Sequence, residues 1–179
     1  MRVQIRYNEQ QVALIQMLNA RDERVARQTS MLKFAKAIIV LTLNMPGQVK
    51  RTKLSIKAFA IGQNEIETLL KSNDIEVIHR LYTDEITGTE CIWAVNADPE
   101  FLKQLMITID DGHPLGLIFD IDVLNNEGKK VSRSEVGKGV RKCFVCELPV
   151  SHCASSRRHS VAELRAAVDS ILKNFFLCN

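Results

Sequence analysis

The residues with the clearest chemical potential lie in Gly116-Leu-Ile-Phe-Asp-Ile-Asp-Val123. On a β-strand, residues two apart share a face. Asp120 and Asp122 would therefore point together, while Phe119, Ile121 and Val123 point into a core. Side-by-side carboxylates repel unless a cation lies between them. Mg²⁺ suits such a pair, because it is held by one or two carboxylates together with the phosphates of a substrate. The arrangement serves nucleotidyl transfer, in which metal offsets charge on the phosphates being exchanged. The spacing alone equally describes an exposed strand face with two solvated aspartates.

A second group is Cys143-x2-Cys146-x6-Cys153-x5-His159, with His152 beside Cys153. The first pair has the spacing of a zinc half-site, and three thiolates plus an imidazole complete a tetrahedral set for a structural Zn²⁺. The plain alternative is a cluster of reduced cytosolic thiols. A third group, Ser155-Ser-Arg157-Arg158-His159-Ser160, opens the last helix. Its free backbone amides favour an anion, and two arginines add bidentate hydrogen bonding to phosphate oxygens. A fourth, Asn44-Met-Pro-Gly47-Gln-Val-Lys50-Arg51, sets cations after a Gly turn that could hold phosphate or ribose, although it lacks the Walker pattern.

Periodicity sets out the elements that must carry these groups. Asn8 to Ala37 has apolar residues at Val12, Ile15, Leu18, Val25, Met31, Leu32 and Ala35, which predicts one long amphipathic helix or two broken near Asn19. The β-branched run Ile38–Leu43 predicts a strand, and Pro46-Gly47 a turn. A helix is expected from Lys50–Lys53 to about Lys71. Strands follow at Ile75–Tyr82 and Cys91–Val95, joined by a turn at Thr87-Gly88. Asp98-Pro99 starts a helix to about Asp110. Leu115–Leu124 reads as a strand, Asn125–Gly128 as a turn, and Val131 as the continuation of a hairpin. Gly137–Ser156 reads as a loop. The closing helix, 160–177, begins with Ser160 and Glu163 in capping-box spacing. The expectation is one α+β domain over 1–179, a mixed or antiparallel sheet flanked by helices, with a nucleotidyltransferase-like Asp-x-Asp strand and a Cys/His-rich loop at 143–159.

The chain has 179 residues, 46% hydrophobic and 25% charged, enough for an ordinary core and unlike a disordered chain, collagen or a disulfide-dense miniprotein. No apolar run approaches the roughly 20 residues of a membrane span, and MRVQIRYNEQ lacks a signal-peptide core, so a soluble cytoplasmic protein is expected. The net charge of +3 is unevenly spread: 84–122 holds nine acidic residues against Lys103, and 129–165 nine basic residues against three acidic. That suggests a carboxylate site for cations beside a basic site for phosphates, or solvated faces that differ by chance. Aromatics are 6%, and none interleave with the basic residues as stacking platforms for nucleic acid would require.

Three ordered motifs give the chain a resemblance: Arg24-x3-Gln28 followed by Leu41-Thr-Leu-Asn-Met-Pro-Gly47-x2-Lys50; His113-Pro-Leu-Gly116-x2-Phe-Asp-Ile-Asp-Val123; and Cys143-x2-Cys146 through Cys153-Ala-x-Ser-Arg-Arg-His-Ser160. Together they resemble the apo-citrate lyase phosphoribosyl-dephospho-CoA transferases, or holo-citrate lyase acyl-carrier synthases. The resemblance implies transfer of a 5-phosphoribosyl-dephospho-CoA group from its triphosphate precursor to a serine of the acyl-carrier subunit, with diphosphate leaving. The residues fit this chemistry: Mg²⁺ on Asp120 and Asp122, substrate contacts from Asn44, Gly47, Lys50, Arg51, Arg157, Arg158 and His159, and His113 or His159 as acceptor of the serine proton. No nucleic-acid or membrane partner is implied. The chain departs from the family pattern at Leu117 and Ser155, where arginine is usual. Two other readings fit the residues: a nucleotidyltransferase acting on another carrier, and a zinc-stabilised basic binding module.

Overall fold

A computed structural model describes residues 10–177; the start of the first expected helix at Asn8, and Cys178, lie outside them. The elements run α1 (Leu14–Leu32), β1 (Ala37–Leu43), α2 (Lys53–Ser72), β2 (Val77–Glu85), β3 (Gly88–Val95), α3 (Pro99–Gly112), β4 (Phe119–Asn125), α4 (Val150–Ser155) and α5 (Val161–Leu177). The strands make one antiparallel sheet in the order β2-β3-β1-β4. The α+β expectation therefore holds, and the sheet is antiparallel rather than mixed. No helix among the described residues is long and apolar enough to cross a membrane.

Alternation on β1 divides the interior. Ala37, Ile39 and Leu41 join Phe119, Ile121, Val123, Trp93 and residues of α2, α3 and α5 in the main core. Ile38 and Val40 face the other way with Ile92, Ala94 and Leu124, and Met31 of α1 covers them. Because β1 is buried on both faces, it reads as a continuous apolar run. Local signals fix the ends of the helices. Thr52 and Ser55 exchange side chain-to-backbone bonds of 3.0 and 2.8 Å at the start of α2. Asp98 accepts from the Phe101 amide at 2.8 Å, and Ser160 and Glu163 form the expected box on α5.

The structure corrects the reading of α1. It is one unbroken helix, yet Leu14, Ile15, Leu18 and Val25 are largely exposed. Its inward face instead carries Met17, Ala20, Arg24, Arg27 and Met31, so this helix lies over a polar region as well as an apolar one. Other boundaries move as well: β2 runs Val77–Glu85 rather than 75–82, and β3 starts at Gly88 rather than Cys91. Residues 115–118 form a turn before β4 rather than part of the strand, and the expected loop at 137–156 contains the short helix α4.

The turn before β4 depends on a close approach. A Cβ at Gly116 would lie 2.2 Å from the Asp110 carbonyl oxygen and 2.7 Å from that of Ile109. Backbone cannot yield as a flexible side chain can, so Gly116→Ala should destabilise the fold by about 1–3 kcal/mol, measured by urea unfolding. An unchanged midpoint would show that the α3–β4 junction opens freely.

Candidate active site

The Asp-x-Asp strand behaves as its alternation requires: Phe119, Ile121 and Val123 are buried in the core, and Asp120 and Asp122 share the opposite, half-exposed face. Antiparallel pairing sets Thr42 of β1 beside Asp120, and the Thr42 hydroxyl donates to Asp120 Oδ2 at 3.2 Å. Beyond them, between α1 and the sheet, is a cavity of about 220 Å³. Its polar lining includes Arg21, Arg24, Thr42, Asn44, Lys50 and Asp120.

Charge in this cavity is strongly one-sided. Lys50 donates to the Met45 carbonyl at 2.7 Å, and burial, followed by the nearby Arg165 and Arg21 guanidiniums, lowers its pKa below the ordinary lysine value. Glu90 of β3 is almost fully buried and accepts from the Nε atoms of both Arg24 and Arg27, the latter at 2.9 Å. Because Glu90 takes the Nε edge of Arg24, the terminal nitrogens of that guanidinium have no protein hydrogen bond among the described residues. The site is thus a cationic recess with one carboxylate at its edge, suited to a polyanion.

The sequence-predicted residues divide between this recess and other places. Asn44, Lys50 and Asp120 line it. Asp122 forms an ion pair with Lys130. Gly47, at φ 83°, makes the turn that brings Lys50 back to the sheet. Arg51 makes a bidentate pair with Asp84, at 2.8 and 2.6 Å. His113 lies on the core side of β4: its ring packs against Phe119 and Phe175, and its Nδ1 accepts from the Leu115 amide at 3.0 Å. Arg157 and Arg158 are exposed and do not line the recess. The anion met by the start of α5 is the chain's own Glu163 carboxylate.

Sequence reasoning overlooked Arg21, Glu90 and Arg141 as site residues. Arg141 donates to the carbonyls of Gly116, Leu117 and Phe119, and its Nη1 lies 3.9 Å from Asp120 Oδ1. A cation therefore stands at the Gly116-Leu117 turn, although position 117 itself is leucine. The available signal for α1 was the i, i+4 pair Arg24 and Gln28, which shares one helical face.

The cysteine motif does come together. The ligand atoms of Cys143, Cys146, Cys153 and His159 all lie within 4.8 Å of one another. Cys146 Sγ is 3.4 Å from Cys153 Sγ and 3.1 Å from His159 Nε2. The Leu148 backbone amide, then the His159 ring, draw the Cys146 thiol down to about 6, while burial and the neighbouring thiols push Cys153 up to about 12. Such a donor set could hold a metal ion, which would stabilise all its deprotonated members together.

Glu90 should matter far more than a surface partner of arginine. Glu90→Gln, measured by urea unfolding, is expected to cost about 2 kcal/mol, since two guanidiniums lose their shared charged acceptor. Asp84→Asn, at the half-exposed Arg51 pair, should cost under about 1 kcal/mol. Equal effects would remove Glu90 from its role in holding α1.

Comparison with known proteins identifies the family. The family model described as apo-citrate lyase phosphoribosyl-dephospho-CoA transferase matches residues 12–175. A Streptococcus pyogenes serotype M18 protein named "Probable apo-citrate lyase phosphoribosyl-dephospho-CoA transferase" is 31% identical over 95% of this chain and 90% of its own length. A Vibrio cholerae serotype O1 protein of the same name is 32% identical over 93% of this chain and 95% of its own. The protein named CitXG from Leuconostoc mesenteroides subsp. cremoris is 32% identical over 90% of this chain, the match covering 35% of that longer protein. With all three motifs inside the matched span, the chain belongs to the apo-citrate lyase phosphoribosyl-dephospho-CoA transferase family.

Proposed function

We propose that the protein transfers the 5-phosphoribosyl-dephospho-CoA group from its triphosphate precursor to a serine of the apo-citrate lyase acyl-carrier subunit, releasing diphosphate. The observation that carries this reading is the cationic recess of Arg21, Arg24 and Lys50 with Asp120 at its edge, in a chain that belongs to this family. The serine oxygen bonds to the α-phosphorus, the bond from that phosphorus to the bridging oxygen of diphosphate breaks, and the hydroxyl proton passes to water. Negative charge shifts onto the departing diphosphate, and Arg21, Arg24 and Lys50 are the groups assigned to meet it. Glu90 acts one step back, by holding Arg24 in place.

Asp120 and Asp122, on one face of β4 with the Thr42 hydroxyl beside Asp120, form an oxygen donor set that fits Mg²⁺. When bound there, the ion supplies charge neutralisation to the phosphate oxygens. Arg141 and Lys130 balance the two carboxylates from the protein side. We assign the Cys143, Cys146, Cys153 and His159 set to a structural Zn²⁺, supported by its four-donor composition and its position in a segment with few core residues. A cytoplasmic location and a single transferase domain are part of the same reading.

The direct test is intact-mass spectrometry of the apo acyl-carrier subunit, incubated with this protein, Mg²⁺ and the triphosphate precursor. A mass gain equal to the prosthetic group is expected, and EDTA should abolish it. Asp120→Asn should slow the gain by about 100-fold or more without a change in melting temperature, and Asp122→Asn should have the smaller effect. No gain from the folded wild-type protein, or full activity in Asp120→Asn, would contradict the reading.

For the metal, elemental analysis of the purified protein should find one zinc per chain. Cys146→Ser should lose it together with several degrees of melting temperature. A metal-free protein with the same melting temperature would sink the zinc assignment.

A further inference from the structure

A second cavity adjoins the cationic recess. Asn44, Met45 and Lys50 line both, and the second, of about 370 Å³, is otherwise bounded mainly by apolar side chains, among them Phe144, Val150 and Leu164, with Cys143, Cys153 and His159 of the metal-binding set on one wall. Its volume lies within the usual range for a small-molecule site. A ligand occupying both spaces must be polyanionic at one end. At the other it must be apolar and carry only a few polar atoms. A nucleotide has this make-up.

Asn44 stands where the two cavities meet. Its backbone amide is used, donating to the Ile118 carbonyl at 2.8 Å, but its side-chain amide has no hydrogen bond among the described residues. A carboxamide presents a donor and an acceptor side by side, and that pair matches the N6/N7 edge of adenine. Phe144, partly buried against the core, offers an aromatic surface in the same cavity.

We propose, resting on the transferase reading above, that this second cavity is the subsite for the adenine base of the donor nucleotide. Asn44 reads the edge of the base, and Lys50 marks the boundary with the phosphates. The metal-binding segment then serves the active site by supplying a wall of the nucleotide pocket, at a distance from the carboxylates.

Isothermal titration of the full chain with separate pieces of the donor tests this. Dephospho-CoA, inorganic tripolyphosphate and 4′-phosphopantetheine are the probes. The variants are Asn44→Ala, which removes the edge-reading amide, and Ala154→Leu, which narrows the cavity from an exposed position on α4. Dephospho-CoA should bind wild type and lose at least tenfold in affinity in each variant, with tripolyphosphate affinity within twofold of wild type. Unchanged dephospho-CoA affinity in both variants, no binding to wild type, or an equal loss for 4′-phosphopantetheine would overturn the adenine assignment. Wild-type transfer to the acyl-carrier subunit, followed in parallel, separates the two ideas. Transfer with unaffected variants removes the subsite alone, whereas absent transfer counts against the transferase reading itself.

Discussion

One buried carboxylate holds the candidate active site together. Glu90 sits on β3 where the apolar face of the sheet gives way to a polar one, and it takes a guanidinium from each of Arg24 and Arg27. At the far end of α1, Met31 packs on Ile38, Ile92, Ala94 and Leu124. At the near end, buried Val12 donates its amide to the Gln48 carbonyl at 3.0 Å. Between these anchors only buried Ala20 and half-buried Met17 give the helix an apolar reason to stay on the sheet. Glu90 provides an electrostatic one, and the recess exists because α1 is held over the polar stretch of the sheet.

The same carboxylate sets the sign of the site. One negative charge is shared by two positive ones, and Arg21 and Lys50 add two more around the recess. Lys50, its pKa lowered by burial and then by Arg165 and Arg21, registers that crowding. A phosphate chain placed there would relieve like-charge repulsion that the fold by itself leaves in place, which suits the recess to the proposed triphosphate. On the other side of β4, Lys103 donates to the Ile121 carbonyl at 3.1 Å and Arg141 clasps the carbonyls of the preceding turn. These contacts fix the strand so that Asp120 faces the recess.

Legibility in the sequence followed the strength of local physics. The β1 run, the Asp98-Pro99 helix start and the Ser160–Glu163 box were all readable because each is decided within a few residues. The alternation through Asp120 and Asp122 was readable for the same reason, as was the Cys/His spacing that the fold closes into one cluster. Hydrophobic periodicity misled at α1, since Ile15, Leu18 and Val25 were expected to face a core and are exposed. A helix that covers a polar recess turns arginines inward, and periodicity has no means of distinguishing that from a solvated face. Partners distant in sequence were equally hidden. Arg51 meets Asp84, Arg157 and Arg158 meet solvent, and His113 packs against Phe119 and Phe175 on the core side of β4. Of the α1 arginines that line the recess or meet Glu90, only Arg24 was marked, through the family motif Arg24-x3-Gln28.

Hydrogen–deuterium exchange with and without inorganic tripolyphosphate tests the location of the phosphate site most directly. Slower exchange is expected on adding tripolyphosphate in the α1 segment around 17–28 and in the turn at 42–50, with little change at 155–160. Protection confined to the Arg157-Arg158 segment, or none at α1, would contradict the central claim that the recess under α1, held by Glu90, receives the triphosphate.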